Sequence, residues 1–301
     1  MNRPTFLMMC GLPCSGKSTR AKRLSEEYNA NIHSSDAIRE ELTGDINNQE
    51  NNTLVFQTLH QRIKDDLRNG VSCIYDACCV HYKERKAFLQ ELKNIPCEKI
   101  CILMATPYEI CLERSTKRDR KVPEYVIKRM YKSFDPPGHY EGWDNIEIMF
   151  DSTTYGHPNN FYLKHKHFNQ DNTHHTLTLG EHCAKVCAAL NNEAEELKVA
   201  GLLHDCGKPF CKTFINTRGE VTEQAHYYNH EHTGSYDSLF YHDMLNKMNP
   251  LYIATLIRWH MQPYFWEKDN NEKQHNKYRK LWGEELYSDI MKLHEADKAA
   301  H

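Results

Sequence analysis

Gly11-Leu12-Pro13-Cys14-Ser15-Gly16-Lys17-Ser18-Thr19 is the stretch on which the reading of the fold turns. It fits Gly-x4-Gly-Lys-Ser in full, and it stands between an apolar run at 6–10 and a polar, basic segment with helical character opening near Lys17. Strand, glycine loop and helix in that order open a parallel α/β unit. The glycines let a loop wrap a phosphate chain with backbone N–H groups turned inward, and the helix N-terminus adds its positive end. Gly11, Ser15, Gly16, Lys17, Ser18 and Thr19 are therefore the expected ATP-binding residues. Lys17 is placed to reach the β and γ phosphates and Ser18 to ligate Mg2+.

Working outward, strand-like pieces recur at 30–34, 71–75, 99–104 and 146–150, separated by helical patterns such as 54–67 and 82–92. Strands alternating with helices of this length predict a doubly wound parallel sheet. From 151 to about 171 the chain is polar, rich in Asn, Gly and Pro and without period, which reads as a linker. Helical patterns follow at 177–190, 193–204, 229–245, 251–260 and 284–300, interrupted at 212–222 by an Asn-x-Arg-Gly turn between β-formers. The expected architecture is an α/β P-loop domain with a parallel sheet (1–151), a linker (152–170), and an all-α helical bundle with a small hairpin insertion (171–301).

Composition narrows the classes. Hydrophobic residues make up 40% and charged residues 26%, a globular balance. No stretch reaches the ~20 apolar residues that a bilayer demands, and the N-terminus lacks a signal-peptide layout, so a cytoplasmic protein is expected. The twelve cysteines include no Cys-x-x-Cys pair, and they read as small buried hydrophobes in a reducing compartment. A net charge of −3 argues against broad, nonspecific duplex binding but leaves room for a strand end held by local cations. Fifteen of the nineteen histidines fall between His157 and His301, marking a second chemistry in the second half.

In the first half, Asp36 and Arg39 follow the second strand. An aspartate there suits a base for an attacking hydroxyl, with Arg39 one turn on to hold an acceptor phosphate. The same spacing also describes an N-terminal Asp with a solvated Arg. The basic run Lys117-Arg118-Asp119-Arg120-Lys121 suits a lid that brings arginines to the transferred phosphoryl group, or a solvated helix face.

In the second half, His204-Asp205 ends a helix and is followed by Gly207 and Lys208. With His182 upstream, His230 and His260 downstream, and Asp297 in the last helix, they form an imidazole and carboxylate set. Such a set suits one or two ions of Mn, Ni, Co, Fe or Zn. A single-metal site of His182, His204, Asp205 and Asp297 is the alternative. His226 reads as a ligand, a phosphate contact or an acid. Lys208 reads as a phosphate contact or a solvated helix end. His165, His167, His174 and His175 read as linker or substrate-side residues.

Residues 11–150 resemble the kinase domain of polynucleotide 5′-kinases from phage and bacterial RNA repair. The likeness is carried by the P-loop, Asp36-x-x-Arg39, the lid, and the tail Val122-Pro123-Glu124…Arg129-Met130-Tyr131…Phe134-Asp135-Pro136-Pro137…Glu141-Gly142-Trp143-Asp144. It implies that Asp36 is the base for a 5′-OH, that Arg39 binds the terminal 3′-phosphate, and that Arg118 and Arg120 assist transfer. Where that family has Asp-x-Thr-Asn, this chain has Asp76-Ala77-Cys78-Cys79. Asp76 remains as a Mg2+-associated carboxylate, and Arg85 as a contact for nucleic acid or ATP.

Residues 170–301 resemble the HD phosphohydrolase superfamily in their order His … His-Asp … His … His … Asp. That implies metal ligation by His182, His204, Asp205, His230, His260 and Asp297. Lys208 and His226 in this half, and Arg85 in the kinase half, are the candidates for substrate phosphate. The pairing resembles bacterial HD-domain polynucleotide kinases, although there the HD module comes first. The two resemblances together imply an RNA or DNA end-healing enzyme: a 5′-OH kinase joined to a phosphoesterase for 2′,3′-cyclic or 2′/3′-phosphate ends. Its partners would be single-stranded RNA or DNA ends and an RNA ligase acting downstream. The alternatives are a metabolite or nucleoside kinase fused to a nucleotidase, and a nucleotide-responsive regulator; intact Lys17, Asp36, His204 and Asp205 speak against the last.

Overall fold

A computed structural model describes residues 3–173, 176–241, 248–268 and 271–300. His174 and His175 lie outside these residues, as do positions 242–245 of the helical pattern expected at 229–245. The chain divides into two compact units, Met1–Met130 with Pro137–Asp151 and Tyr131–Pro136 with Ser152–His301.

The first unit is built on five strands: β1 (Thr5–Cys10), β2 (Asn31–Ser34), β3 (Cys73–Asp76), β4 (Glu98–Ala105) and β5 (Asn145–Phe150). They lie in the order β2-β3-β1-β4-β5, and every neighbouring pair is parallel. β1 is buried along its whole length, as a central parallel strand covered on both faces must be. Leu7, Met9, Ile74, Ile100 and Ile102 meet Ala21 and Leu24 in one apolar cluster.

The helices of this unit are α1 (Lys17–Tyr28), α2 (Ser35–Thr43), α3 (Asn52–Arg68), α4 (Tyr82–Glu91), α5 (Tyr108–Thr116) and α6 (Glu124–Tyr131), whose last residue, Tyr131, passes to the second unit. The buried residues of α3, namely Val55, Leu59, Ile63 and Leu67, repeat every four positions and form the stripe that packs inward.

The second unit is helical: α7 (Asn159–His165), α8 (Leu179–Ala189), α9 (Glu195–Leu203), α10 (Lys208–Cys211), α11 (His230–Ser238), α12 (Pro250–Trp259), α13 (Gln262–Lys268), α14 (Glu272–Trp282) and α15 (Glu284–Ala299). An antiparallel pair, β6 (Thr213–Ile215) and β7 (Val221–His226), stands between α10 and α11. Thr178 caps α8 through a capping box with Glu181, which fixes where that helix starts.

One expectation is corrected here. The stretch read as an irregular linker, 152–170, contains α7, whose Phe161 is buried. Asn and Pro at its N-terminus masked a helix that needs only one apolar anchor. The six residues Tyr131–Pro136, at the end of the stretch read as the kinase tail, make their contacts with the helical unit. Tyr131 packs on Phe210 and Tyr236, Phe134 packs on Tyr236, and Asp135 pairs with Arg258.

Candidate active sites in two units

The first site gathers at the C-terminal edge of the parallel sheet, where open α/β folds place their ligands. The loop after β1 turns sharply at Gly11, whose φ is 146° and where an added Cβ would lie 2.9 Å from the Met104 carbonyl oxygen. Only glycine fits there. Gly11 N donates to the Cys78 carbonyl at 2.9 Å, so the loop after β3 braces the phosphate loop. Gly16 and Lys17 open α1 with its N-terminus toward the loop.

Lys17 is buried and its ammonium donates to the Gly11 and Leu12 carbonyls at 3.1 and 2.7 Å. Burial disfavours its charge, yet Cys78 and Asp76 outweigh that and raise it above the ordinary lysine range. Asp76 ends β3 in register with Ser34 of β2. Burial pushes its carboxyl up, while a hydrogen bond from Ser18 and the Lys17 charge oppose the rise. Lys17, Ser18 and Asp76 thus form one electrostatic group, the set that would hold Mg2+ and the phosphate chain. Ser15 is buried in the loop, whereas Thr19 is exposed on α1.

Asp36 stands in the first turn of α2. Its Oδ1 accepts from Arg39 Nη1 at 2.8 Å and its Oδ2 from Arg120 Nη1 at 2.6 Å. The Asp36 side chain is 47% exposed while that of Arg39 is 6% exposed, so the carboxylate is open to an incoming hydroxyl and its guanidinium partner is fixed. Asn52 Oδ1 accepts from Arg39 Nη2 at 3.0 Å. Arg120 also reaches Asn47 Oδ1 and the Ile46 carbonyl. Arg118 Nη1 lies 3.5 Å from the Cys14 sulfur, inside the phosphate loop. The basic run between α5 and α6 is an irregular segment closed at its base by Ser115 and Val122, not a helix face.

Arg85 requires a correction. It is buried, and its guanidinium donates to Glu141 at 2.9 and 2.6 Å and to the Cys79 carbonyl at 2.9 Å. Glu141 in turn accepts from Trp143 Nε1 and from the Gly138 amide. Arg85 is therefore a structural brace for the Cys78-Cys79 loop and not a contact for substrate phosphate. Its partner lies 56 residues away, and nothing in the local pattern signals it.

The second site is an imidazole and carboxylate cluster. His182, His204 and Asp297 bring donor atoms within 4.8 Å of one another, and so do Asp205, His230 and His260. Five elements supply them: His182 lies in α8, His204 and Asp205 follow α9, His230 opens α11, His260 caps α12, and Asp297 lies in the last turns of α15. Gly207 allows this convergence, since an added Cβ there would lie 2.1 Å from the His230 carbonyl oxygen.

His182 Nε2 stands 3.2 Å from His204 Nε2 and 3.0 Å from Asp297 Oδ1. His230 Nε2 stands 3.3 Å from His260 Nε2. Asp205 joins the two groups: Oδ2 lies 3.2 Å from His204 and Oδ1 3.2 Å from His230.

The donor set fits metal. His204, His230 and His260 each turn Nδ1 to a backbone carbonyl, of Gly201, Tyr227 and Ile257. A ring nitrogen facing a carbonyl carries the hydrogen, so in each neutral ring Nε2 presents a lone pair. Burial, followed by the charges of His230 and His204, depresses His260 to about 3, which keeps it neutral. The facing Nε2 atoms of His230 and His260, 3.3 Å apart, can take a cation between them once neither carries a proton. Asp297 is held well below the ordinary carboxylate range: burial opposes this, and the His204 charge with hydrogen bonds from His182 and His204 prevails.

Lys208 is buried, with Nζ 2.7 Å from Asp205 Oδ2 and 2.8 Å from Gln170 Oε1. His226 sits apart on β7: its Nε2 meets Thr222 Oγ1 at 3.1 Å and its ring stacks on Tyr228. His165 packs on Phe161 and Phe168. The sequence reading missed Tyr264, which donates to Asp297 Oδ2 at 2.9 Å, and Gln170. Both lie in stretches without a motif, so only the fold reveals them. It also passed over Cys183, although that thiol follows His182 directly and lies within 4.8 Å of donor atoms of His204 and Asp205.

A nucleotide-type phosphate loop at the edge of a parallel sheet and a helical imidazole–carboxylate centre define a two-domain chain. Residues 6–137 match the family model described as an AAA domain, and residues 173–300 match that described as an HD domain. The chain thus carries a kinase-like P-loop domain followed by an HD phosphohydrolase domain. It is 30% identical over 153 residues to the L-seryl-tRNA(Sec) kinase of Methanococcus maripaludis, covering 49% of this chain and 59% of that relative, less than two thirds of its length. Among solved structures it is similar to a sugar kinase from Janibacter (16% identity, TM-score 0.38, 49% of this chain and 85% of that one). It is also similar to a chain of the Pnkp1/Rnl/Hen1 RNA repair complex (21% identity, TM-score 0.38, 43% of each). No helix among the described residues is long and apolar enough to cross a membrane.

Proposed function

We propose that this protein heals nucleic-acid ends, phosphorylating 5′-OH ends with ATP and hydrolysing 2′,3′-cyclic or 2′/3′-phosphate ends, in the service of RNA repair. The observation that carries the kinase half is Asp36, exposed yet gripped by Arg39 and Arg120. Its carboxylate takes the proton from the attacking hydroxyl as the new O–P bond forms and ADP departs. Arg39, buried and fixed by Asn52, holds the phosphate next to that hydroxyl. Arg118 and Arg120 meet the charge on the transferred group, where such arginines are worth about 10³–10⁵ in rate.

In the HD half, one or two divalent ions would supply a hydroxide nucleophile and stabilise charge on phosphorus. His182, His204 and Asp297 would hold one position, His230 and His260 the other, and Asp205 would bridge them. Lys208 fixes the Asp205 carboxylate and stands ready for substrate phosphate.

The seryl-tRNA(Sec) kinase relative favours a second reading, in which the acceptor hydroxyl belongs to an aminoacyl group on tRNA. An RNA oligonucleotide with a 5′-OH and a 2′,3′-cyclic phosphate, given ATP, Mg2+ and Mn2+, separates the readings beside a seryl-tRNA substrate. End healing requires Lys17→Ala to lose only the 5′ reaction and Asp205→Ala only the 3′ reaction. Phosphorylation of seryl-tRNA alone selects the second reading. Inertness of both substrates while ATP still binds moves the acceptor to small metabolites.

A further inference from the structure

We infer that Tyr264 is a positioning residue of the metal centre, fixing Asp297 so that a single carboxylate oxygen faces His182 and His204. This rests on the metal-centre reading of the HD site. Asp297 lies two residues before the end of α15, where helices fray, so a ligand placed there needs an external hold.

Helix α13 supplies that hold. It begins two residues after His260, and its Tyr264 and Glu267 are three apart, on one face. Tyr264 donates to Asp297 Oδ2 at 2.9 Å, and its ring stands edge-on to His294 at 4.3 Å and 81°. Glu267 accepts from His294 Nε2 at 2.9 Å and from Lys298 Nζ at 3.1 Å on both oxygens. Positions 294, 297 and 298 share one face of α15, and α13 grips all three. Glu267, His294 and Glu295 also lie within 4.8 Å of one another. Lys298 neutralises Glu267, however, so that group is a brace.

The carboxylate of Asp297 is thereby divided: Oδ2 serves the phenol, and Oδ1 lies 3.0 Å from His182 and 3.6 Å from His204. A carboxylate so tethered offers one oxygen in one direction, and removing such a tether typically costs 10–100-fold in metal affinity. The second group is held otherwise, through the Tyr227 and Ile257 carbonyls.

The test is Mn2+ binding to the metal-depleted full chain, resolved into its binding classes by calorimetry and electron paramagnetic resonance, in wild type and Tyr264→Phe. Phenylalanine keeps the ring against His294 and removes only the hydroxyl. One class weakening about 10-fold while the other stays unchanged is the expected result. Unchanged affinity in both classes, or equal weakening of both, overturns the inference while the metal reading stands. A wild-type chain that binds no Mn2+ overturns both.

Discussion

Asp205 Oδ1 lies 3.2 Å from His230 Nε2 while its other oxygen faces His204, so one carboxylate belongs to two imidazole groups. Removing it damages both at once. Asp205→Ala is expected to lose measurable binding at both metal positions, and with it the phosphoesterase activity that the ions would supply. His230→Ala should weaken one position only. Metal stoichiometry by mass spectrometry under native conditions distinguishes these patterns; equal stoichiometry in the two variants would contradict the bridging role.

Proton release should accompany metal binding. Burial works against the charged form of His204, but Asp205, Cys183 and Asp297 outweigh it and raise the group well above 6.5. A raised folded value means that the proton stabilises the metal-free protein below the unfolded pKa, and that this contribution is lost as pH rises through the folded value. Metal must displace that proton, so affinity falls as pH falls. Calorimetry in two buffers of different ionisation enthalpy reads the release directly, and a heat independent of buffer contradicts it.

Arg85→Ala should unfold the first unit more readily, not weaken substrate binding. Breaking a buried ion pair on one side costs about 3–5 kcal/mol, and Glu141 would be left buried with its charge unmatched. Chemical denaturation of Arg85→Ala measures the loss. A stable variant with a raised KM for oligonucleotide would restore Arg85 as a phosphate contact.

Arg120→Ala should lower the phosphoryl-transfer rate by about 10³-fold, since its guanidinium reaches from the lid to Asp36. Single-turnover kinetics at saturating ATP isolates that step. An unaltered rate would assign Arg120 to structure alone.

Phe134→Ala is expected to destabilise the helical unit by about 3–5 kcal/mol. Phe134 is fully buried against Tyr236, and its carbonyl accepts from His232. Melting followed through the metal-bound HD centre tests this, and an unmoved transition contradicts it.

Several elements were legible because their signals are local. The phosphate loop and the strands beside it follow from a contiguous motif and from apolar runs of strand length. The cluster of His182, His204, Asp205, His230, His260 and Asp297 was legible as a residue order, though not its division into two groups, which depends on which helix ends meet. Arg85 was misread because its partner Glu141 is distant in sequence. Tyr264 and Gln170 act through hydrogen bonds to residues distant in sequence, from segments without a motif. The packing of Tyr131–Pro136 was invisible for lack of a local signal: Tyr236 and Arg258 stand more than a hundred residues downstream.

That packing bears on how such a gene can change. The chain passes from one unit to the other three times, after Met130, Pro136 and Asp151. A recombination breakpoint in the Asn- and Pro-rich stretch after Asp151 would deliver an HD module stripped of Tyr131, Phe134 and Asp135. A breakpoint there costs the helical unit the packing of Tyr131 and Phe134 on Tyr236 and the Asp135–Arg258 pair.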